Sequence, residues 1–275
     1  MIQQPIKIHG GKHYLAEWII SQFPLHTSYS HFVETYFGGG SVLLRMPRGR
    51  SEYVNDLNEN LTSFWRMLQS RGQDFERFKH LAEQTPFSEV EYERAELILE
   101  NTDSPMLDPV MRAWAFFVVA RQSRQGLCKV FATMSRNRTR RDVNEQASSW
   151  LSAVDGLSDV RERLRGVVIT CKPALEVIQQ QDGARTLFYI DPPYLPETRS
   201  STNDYQHEMT EADHEALLLV LGNIKGRFVL SGYPSLLYTE VASAFRWRMV
   251  SCEIDNKASS KAEKPKKTEC LWMNY

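Results

Sequence analysis

Cysteine is scarce and scattered in this chain of 275 residues. The four present, Cys128, Cys171, Cys252 and Cys270, form no Cys-x-x-Cys pair. Such spacing argues against a zinc ribbon and a disulfide framework and points to reduced thiols. The seven histidines form no metal-ligand cluster, so no metal is expected. Long apolar runs are also missing. The longest, Ala113 to Ala120, has eight residues, against roughly 20 for a membrane-spanning helix. The first twelve residues are polar and lack the apolar core of a signal peptide, which predicts a cytoplasmic protein. No internal repeat or low-complexity segment stands out. Net charge is close to absent: 33 basic and 34 acidic residues leave a formal charge of -1. The molecule is not a polycation, and any nucleic-acid contact must come from a local patch.

What is present is ordinary for a protein with a real core: 42% hydrophobic and 24% charged residues. The length suits one large α/β domain, or one with a sizeable insertion. Residues 31–36 read as a strand, 37–40 as a glycine-rich turn and 41–46 as the opening of a helix. Residues 52–54 read as a second strand, closed by Asn55 and Asp56. Residues 57–69 read as a helix with Leu61, Phe64, Trp65 and Leu68 on one face. Further strands are expected over 167–171, 186–190 and 228–231. Pro173 starts a helix over 174–181, and Thr210 with Asp213 gives a capping-box-like start to one ending near Leu221. Residues 247–254 and 269–274 read as two strands with no helix between them. The alternation predicts an α/β fold, a mostly parallel sheet covered on both faces with an antiparallel pair at its edge. Residues 70–165 break the alternation and read as a helical, charged insertion forming a smaller second domain. Residues 1–69 and 166–275 would form the main one. The aromatics of residues 113–120 read as core.

Two signals carry chemistry. The first is Phe37-Gly38-Gly39-Gly40 at a strand end, followed 16 residues later by Asp56 at the end of the next strand. Glycines admit positive φ and close approach of a ligand, and a carboxylate there can accept ribose hydroxyls. The turn is neither G-x-G-x-x-G nor a lysine-bearing triphosphate loop, which favours a ligand without a pyrophosphate, such as S-adenosylmethionine (SAM). A plain flexible turn and a helix N-cap at Asp56 remain open readings of the same residues.

The second signal is Asp191-Pro192-Pro193-Tyr194, directly after the apolar run 187–190. Two prolines fix φ and remove two donors, which leaves carbonyls as acceptors. The Asp191 carboxylate and the Pro192 carbonyl can bind the two hydrogens of an adenine amino group. That localises a lone pair otherwise spread into the ring, and the carboxylate stabilises the positive charge growing on nitrogen as a methyl group arrives. Tyr194 offers a ring on which the base can stack. A base in a duplex must flip out to reach such a pocket. The bland alternative is a rigid turn after a buried strand.

Basic residues are concentrated. Residues 112–141 hold eight Lys/Arg and no acid, whereas 87–108 hold seven acids and one base. Arg136, Asn137, Arg138, Arg140 and Arg141 suit phosphate contacts and base-edge readout, and Arg121 and Arg124 are further candidates. A solvated basic loop is the alternative. Residues 257–267 carry five lysines and one glutamate, either as a clamp on the DNA backbone or as a solubilising loop.

Taken together, the motifs resemble the DNA adenine methylase (Dam-like) family over nearly the whole chain. Lys7-Ile8-His9-Gly10-Gly11-Lys12 looks like the family's Gly-Gly-Lys motif, and residues 34–40 look like its SAM loop. Asn55-Asp56-Leu57-Asn58 is similar to its ribose-binding motif, and Asp191 to Tyr194 to its catalytic signature. Tyr205 and Met209-Thr210 resemble the loop that follows. Ile8 stands where the family often has tryptophan, and Tyr36 where it often has phenylalanine. The resemblance implies a Rossmann-like SAM-dependent methyltransferase fold with a helical target-recognition insertion. It implies SAM as co-substrate, held by Ile8, Lys12, Tyr36, Gly38, Gly40, Asp56 and Asp191, and catalysis by Asp191, Pro192, Pro193 and Tyr194. Double-stranded DNA is the implied partner and a monomer the implied working state; a cognate restriction endonuclease is a candidate companion. A same-fold methyltransferase acting on RNA or a protein amide, and a catalytically silent DNA-binding relative, stay open at this point.

Overall fold

The computed structural model describes residues 2–275 apart from 103, 105, 133, 135, 199–206 and 256–265. Tyr205, Ser135 and all of the lysine-rich loop but its last two residues lie outside the described residues. In chain order the elements are α1 (Ala16–Ser21), β1 (His31–Glu34), β2 (Ser51–Asn55), α2 (Glu59–Gln69), α3 (Gln73–Gln84), α4 (Glu89–Glu100) and α5 (Pro109–Gln122). There follow β3 (Thr139–Arg140), β4 (Val143–Asn144), α6 (Glu145–Asp155), α7 (Leu157–Leu164), β5 (Val167–Thr170), α8 (Ala174–Gln181) and β6 (Thr186–Ile190). The chain ends with α9 (Glu211–Leu221), β7 (Arg227–Gly232), α10 (Leu236–Ala244), β8 (Arg248–Asp255) and β9 (Lys266–Met273). The fold is mixed α/β with a mostly parallel sheet and an antiparallel edge, as the alternation predicts. The chain divides into two compact units, one of residues 1–17, 38–48 and 56–171, the other of 18–37, 49–55 and 172–275. The stretch 70–165 falls wholly within the first.

The second unit is built on strands in the order β2-β1-β6-β7-β9-β8. β2, β1, β6 and β7 run parallel, β9 runs antiparallel to β7, and β8 antiparallel to β9. β6 is buried at every residue, as its unbroken apolar run requires of a central strand covered on both faces. On one face Val33, Phe188, Ile190, Phe228 and Leu230 pack with Val177 and Ile178 of α8 and Leu217, Leu218 and Leu221 of α9. On the other, Phe23 beyond α1 lies against Phe32 and Tyr189. Helix α9 opens with the expected capping box of Thr210 and Asp213.

The first unit is helical around an aromatic core. Phe64 stacks on Phe117 at 5.6 Å, and Phe117 meets Trp150 at 4.9 Å. Helix α5 is buried nearly all round, so residues 113–120 are core. The α2 face of Leu61, Phe64, Trp65 and Leu68 is buried as expected, and its N-cap is Asn58 rather than Asp56.

Three local expectations change. Residues 41–46 form consecutive turns rather than a regular helix, with Leu44 N–H on Gly40 O at 3.1 Å and Met46 N–H on Val42 O at 3.0 Å. Pro47 has no N–H to continue them. Residues 136–141, for which a solvated basic loop is one reading of the sequence, lead into the β3–β4 hairpin, in which Arg140 pairs with Val143. Its two-residue turn, Arg141-Asp142, has positive φ at both positions (56° and 60°), the geometry of a type I′ turn without its usual Asn-Gly signature. Helix α10 was not expected; Ser235 caps it by accepting from Tyr238 N–H.

Candidate active site

In an open α/β sheet the strand order reverses at a switch point, and ligands bind there beyond the carboxyl ends of the strands. Here the reversal falls between β1 and β6: the chain passes from β1 outward to β2, then returns to the opposite side of β1 as β6 and β7. Register pairs Glu34 with Tyr189, so the residues that follow β1 and β6 emerge side by side. After β1 come Thr35, Tyr36 and Phe37; after β6 comes Asp191. Asn55, closing β2, ties this edge together. Its side-chain amide donates to Thr35 O at 3.1 Å and to Lys172 O at 2.9 Å, and its Oδ1 accepts from Lys172 N–H at 3.0 Å. Phe37 N–H donates to Asn55 O at 2.9 Å.

The tetrapeptide Asp191-Pro192-Pro193-Tyr194 leaves β6 at that edge. Asp191 is half-buried, while Pro192 and Tyr194 are buried. The single proton of the Tyr194 hydroxyl is shared between two carboxylates, with Asp191 Oδ1 3.2 Å from the phenol oxygen and an oxygen of Glu269 in β9 as the second acceptor. Glu269 is 1% exposed. The Tyr194 ring meets the edge of Tyr233 at 4.7 Å, and Lys267 Nζ sits 4.7 Å from the Tyr233 centroid. Burial, then the carboxylates of Asp191 and Glu269, holds the Tyr194 phenol well above its ordinary range, so it stays a proton donor at any working pH. Behind it, Tyr189 O–H and Ser231 Oγ share a buried hydrogen bond of 3.1 Å. Tyr36 donates from its hydroxyl to Met209 Sδ at 3.6 Å, a contact that phenylalanine could not make.

In the first unit, the glycine turn is built by its neighbours. Gly38 and Gly40 have φ of 48° and 68°, a region costly for any side chain bearing Cβ. Gly38 N–H donates to Asp56 Oδ2 at 2.8 Å, and Asp56 Oδ1 accepts from Asn58 N–H at 3.0 Å. Trp65 Nε1–H donates to Gly38 O at 3.0 Å. Lys12 is buried, with Nζ donating to Gly10 O at 3.0 Å, and Ile8 is half-buried, its carbonyl accepting from Gly11 N–H. The structure therefore gathers Gly38, Gly40 and Asp56 through direct hydrogen bonding, and Ile8 and Lys12 through one turn around Gly10 and Gly11.

The basic candidates divide into two groups. Arg124, Arg136, Asn137, Arg138, Arg140 and Arg141 are exposed. Arg138 lies 4.0 Å from Glu145, and Arg141 donates to Ser152 Oγ at 3.1 Å. Arg121 instead turns inward, donating to Ser149 O and Oγ at 2.7 and 2.8 Å, and burial lowers it to about 10. Between Arg121 and Arg124, Gln122 is fully buried: it accepts from Ser88 N–H and donates to Pro86 O. The adjoining turn needs Gly126, where a Cβ would lie 2.6 Å from Lys7 O.

Glu269 and Tyr233 escaped the sequence reading. The one local hint was a glutamate at the head of the apolar segment Cys270-Leu271-Trp272-Met273, where a charged residue is out of place unless it has a buried partner.

A model of the family described as D12 class N6 adenine-specific DNA methyltransferase matches residues 9–258. No curated protein matches the chain.

Proposed function

Since this chain belongs to the D12 class of N6 adenine-specific DNA methyltransferases, which move a methyl group from SAM to adenine in DNA, we propose that Asp191 and the Pro192 carbonyl are the groups that receive the adenine amine. The observation that carries this is the tetrapeptide's place, directly beyond β6 at the switch point, with a phenol donor on Asp191 Oδ1. A carboxylate oriented by a donor and a carbonyl freed of competing N–H groups by two prolines can bind both amine hydrogens and offset the charge that develops on nitrogen. Asp191 is open to solvent on one side and Tyr194 closes the other, so the target base reaches them by flipping out of the duplex. Pro193 fixes φ immediately before the buried Tyr194.

SAM fits the glycine turn. Gly38 and Gly40 have a backbone that only glycine adopts readily, and Asp56, aimed by two backbone N–H groups, suits ribose hydroxyls. Ile8, Lys12 and Tyr36 complete the proposed cofactor set. When bound, SAM supplies an electrophilic methyl group; the protein's part is to orient the amine and balance its charge. The exposed Arg124, Arg136, Asn137, Arg138, Arg140 and Arg141 are assigned to DNA, whereas Arg121, turned inward onto Ser149, is withdrawn from that set. In this reading 70–165 is the target-recognition insertion, and 1–69 with 166–275 the catalytic domain. We also take the enzyme to act as a cytoplasmic monomer.

Methyl-labelled SAM offered with duplex DNA, RNA or protein tests the assignment. Label should enter DNA alone, as N6-methyladenine. Asp191→Ala should slow transfer by at least about 100-fold while leaving the circular dichroism spectrum and DNA binding intact; normal turnover by that variant defeats the mechanism.

A further inference from the structure

We infer that Glu269 is a positioning residue for methyl transfer: it holds the Tyr194 hydroxyl, and through that hydroxyl it fixes the orientation of the Asp191 carboxylate. The inference rests on the reading above, in which Asp191 receives the amine.

Strand direction brings the residue there. β9 runs antiparallel to β7 with Gly232 opposite Cys270. Its first residues therefore lie at the edge where the parallel strands end. Glu269 and Tyr194 are 75 residues apart in the chain, yet the phenol donates to the glutamate. Side chains two apart share a strand face, and Lys267, on the same face of β9 as Glu269, caps the Tyr233 ring that packs edge-on against Tyr194.

Burying a carboxylate is costly unless it is hydrogen-bonded. Glu269 is buried against a phenol whose oxygen is 3.2 Å from Asp191 Oδ1. A phenol anchored only by Asp191 could swing with it. Gripped by a second, buried carboxylate and wedged against Tyr233, the hydroxyl keeps its place, and its one proton, shared between the two carboxylates, gives Asp191 a fixed point of orientation. Hydrogen bonds of this charged kind are short and directional, and holding a reacting group in line is worth large factors in rate.

Three substitutions separate this role from a merely structural one. Glu269→Gln keeps the length and an oxygen that accepts the phenol proton. Glu269→Met keeps the length and removes the acceptor. Tyr194→Phe removes the donor. Single-turnover transfer from labelled SAM to unmethylated duplex DNA is measured beside the SAM dissociation constant and the thermal unfolding midpoint. Glu269→Met and Tyr194→Phe should each slow transfer about ten-fold or more, with SAM affinity and unfolding close to those of the parent enzyme. Glu269→Gln should recover most of the rate. The double variant Glu269→Met with Tyr194→Phe should be no slower than the slower single one. Wild-type rates in Tyr194→Phe, additive losses in the double variant, or Glu269→Gln as slow as Glu269→Met would overturn the inference. Should Glu269→Met fail to fold, the contrast between a fast Glu269→Gln and a slow Tyr194→Phe decides it in the same way. Asp191→Ala in the same assay keeps the two ideas apart. If it is active, the amine-binding reading falls; if it is silent while Glu269→Met is normal, only the positioning role falls.

Discussion

Gly38 and Gly39 are neighbours that need to be glycine for different reasons. Gly38 has φ of 48° and open space where its Cβ would go. Gly39 has an ordinary φ, but a Cβ there would lie 2.2 Å from Gln4 Nε2, which donates to Gly39 O at 2.7 Å. Alanine at 38 should cost about 1 kcal/mol of backbone strain whatever stands at position 4. Alanine at 39 should instead expel the Gln4 amide and forfeit its hydrogen bond, again about 1 kcal/mol. Thermal unfolding of a double-mutant cycle distinguishes them. Gln4→Ala should absorb the cost of Gly39→Ala and leave that of Gly38→Ala unchanged; equal coupling at both positions would contradict this account.

At the scale of elements, α5 is the post around which the first unit packs, and its start is well specified. Asp108 caps it, accepting from Val110 N–H at 2.9 Å, with Pro109 in the first turn and Arg77 donating to the same carboxylate at 2.5 Å. The Val110 N–H, more than Arg77, holds Asp108 below its ordinary value of 3.8. A carboxyl depressed by folding contributes stability that is present above its unfolded value and lost as pH falls through the folded one. Asp108→Ala should therefore lower unfolding stability by about 1 kcal/mol at neutral pH. The gap between variant and parent should narrow as pH drops below 3.8. A difference that stays constant down to pH 2 would rule out the ionised cap as its source. The β3–β4 hairpin is the opposite case: its Arg-Asp turn has no local signal, and pairing with the neighbouring strand imposes the positive φ values.

For the molecule as a whole, the informative quantity is charge distribution. A formal net charge of -1 gives little general attraction to a polyanion. In the proposed reading, affinity for DNA comes from the few exposed arginines of the 124–141 region, each releasing counterions when it meets a phosphate. Arg138 and Arg140 are exposed, and Arg138 approaches Glu145 no closer than 4.0 Å. Replacing both with alanine should flatten the plot of log binding constant against log salt by about 2. An unchanged slope would remove this loop from the DNA interface.

The reach of the sequence follows from how local each signal is. The capping box at Thr210, the apolar run of β6, the four-residue face of α2 and Asp191-Pro192-Pro193-Tyr194 all depend on residues within one or two turns of each other. Short-range sterics and hydrogen bonding determine them, so the linear pattern sufficed for the sheet, the switch-point edge and the family. Other features depend on segments far apart in the chain: Glu269 on Tyr194, the inward turn of Arg121 onto Ser149, the burial of Gln122 under Ser88, and Gln4 beneath Gly39. Those partnerships exist only once strand order and helix packing have been chosen. That choice is a collective outcome of core burial, which no local pattern encodes.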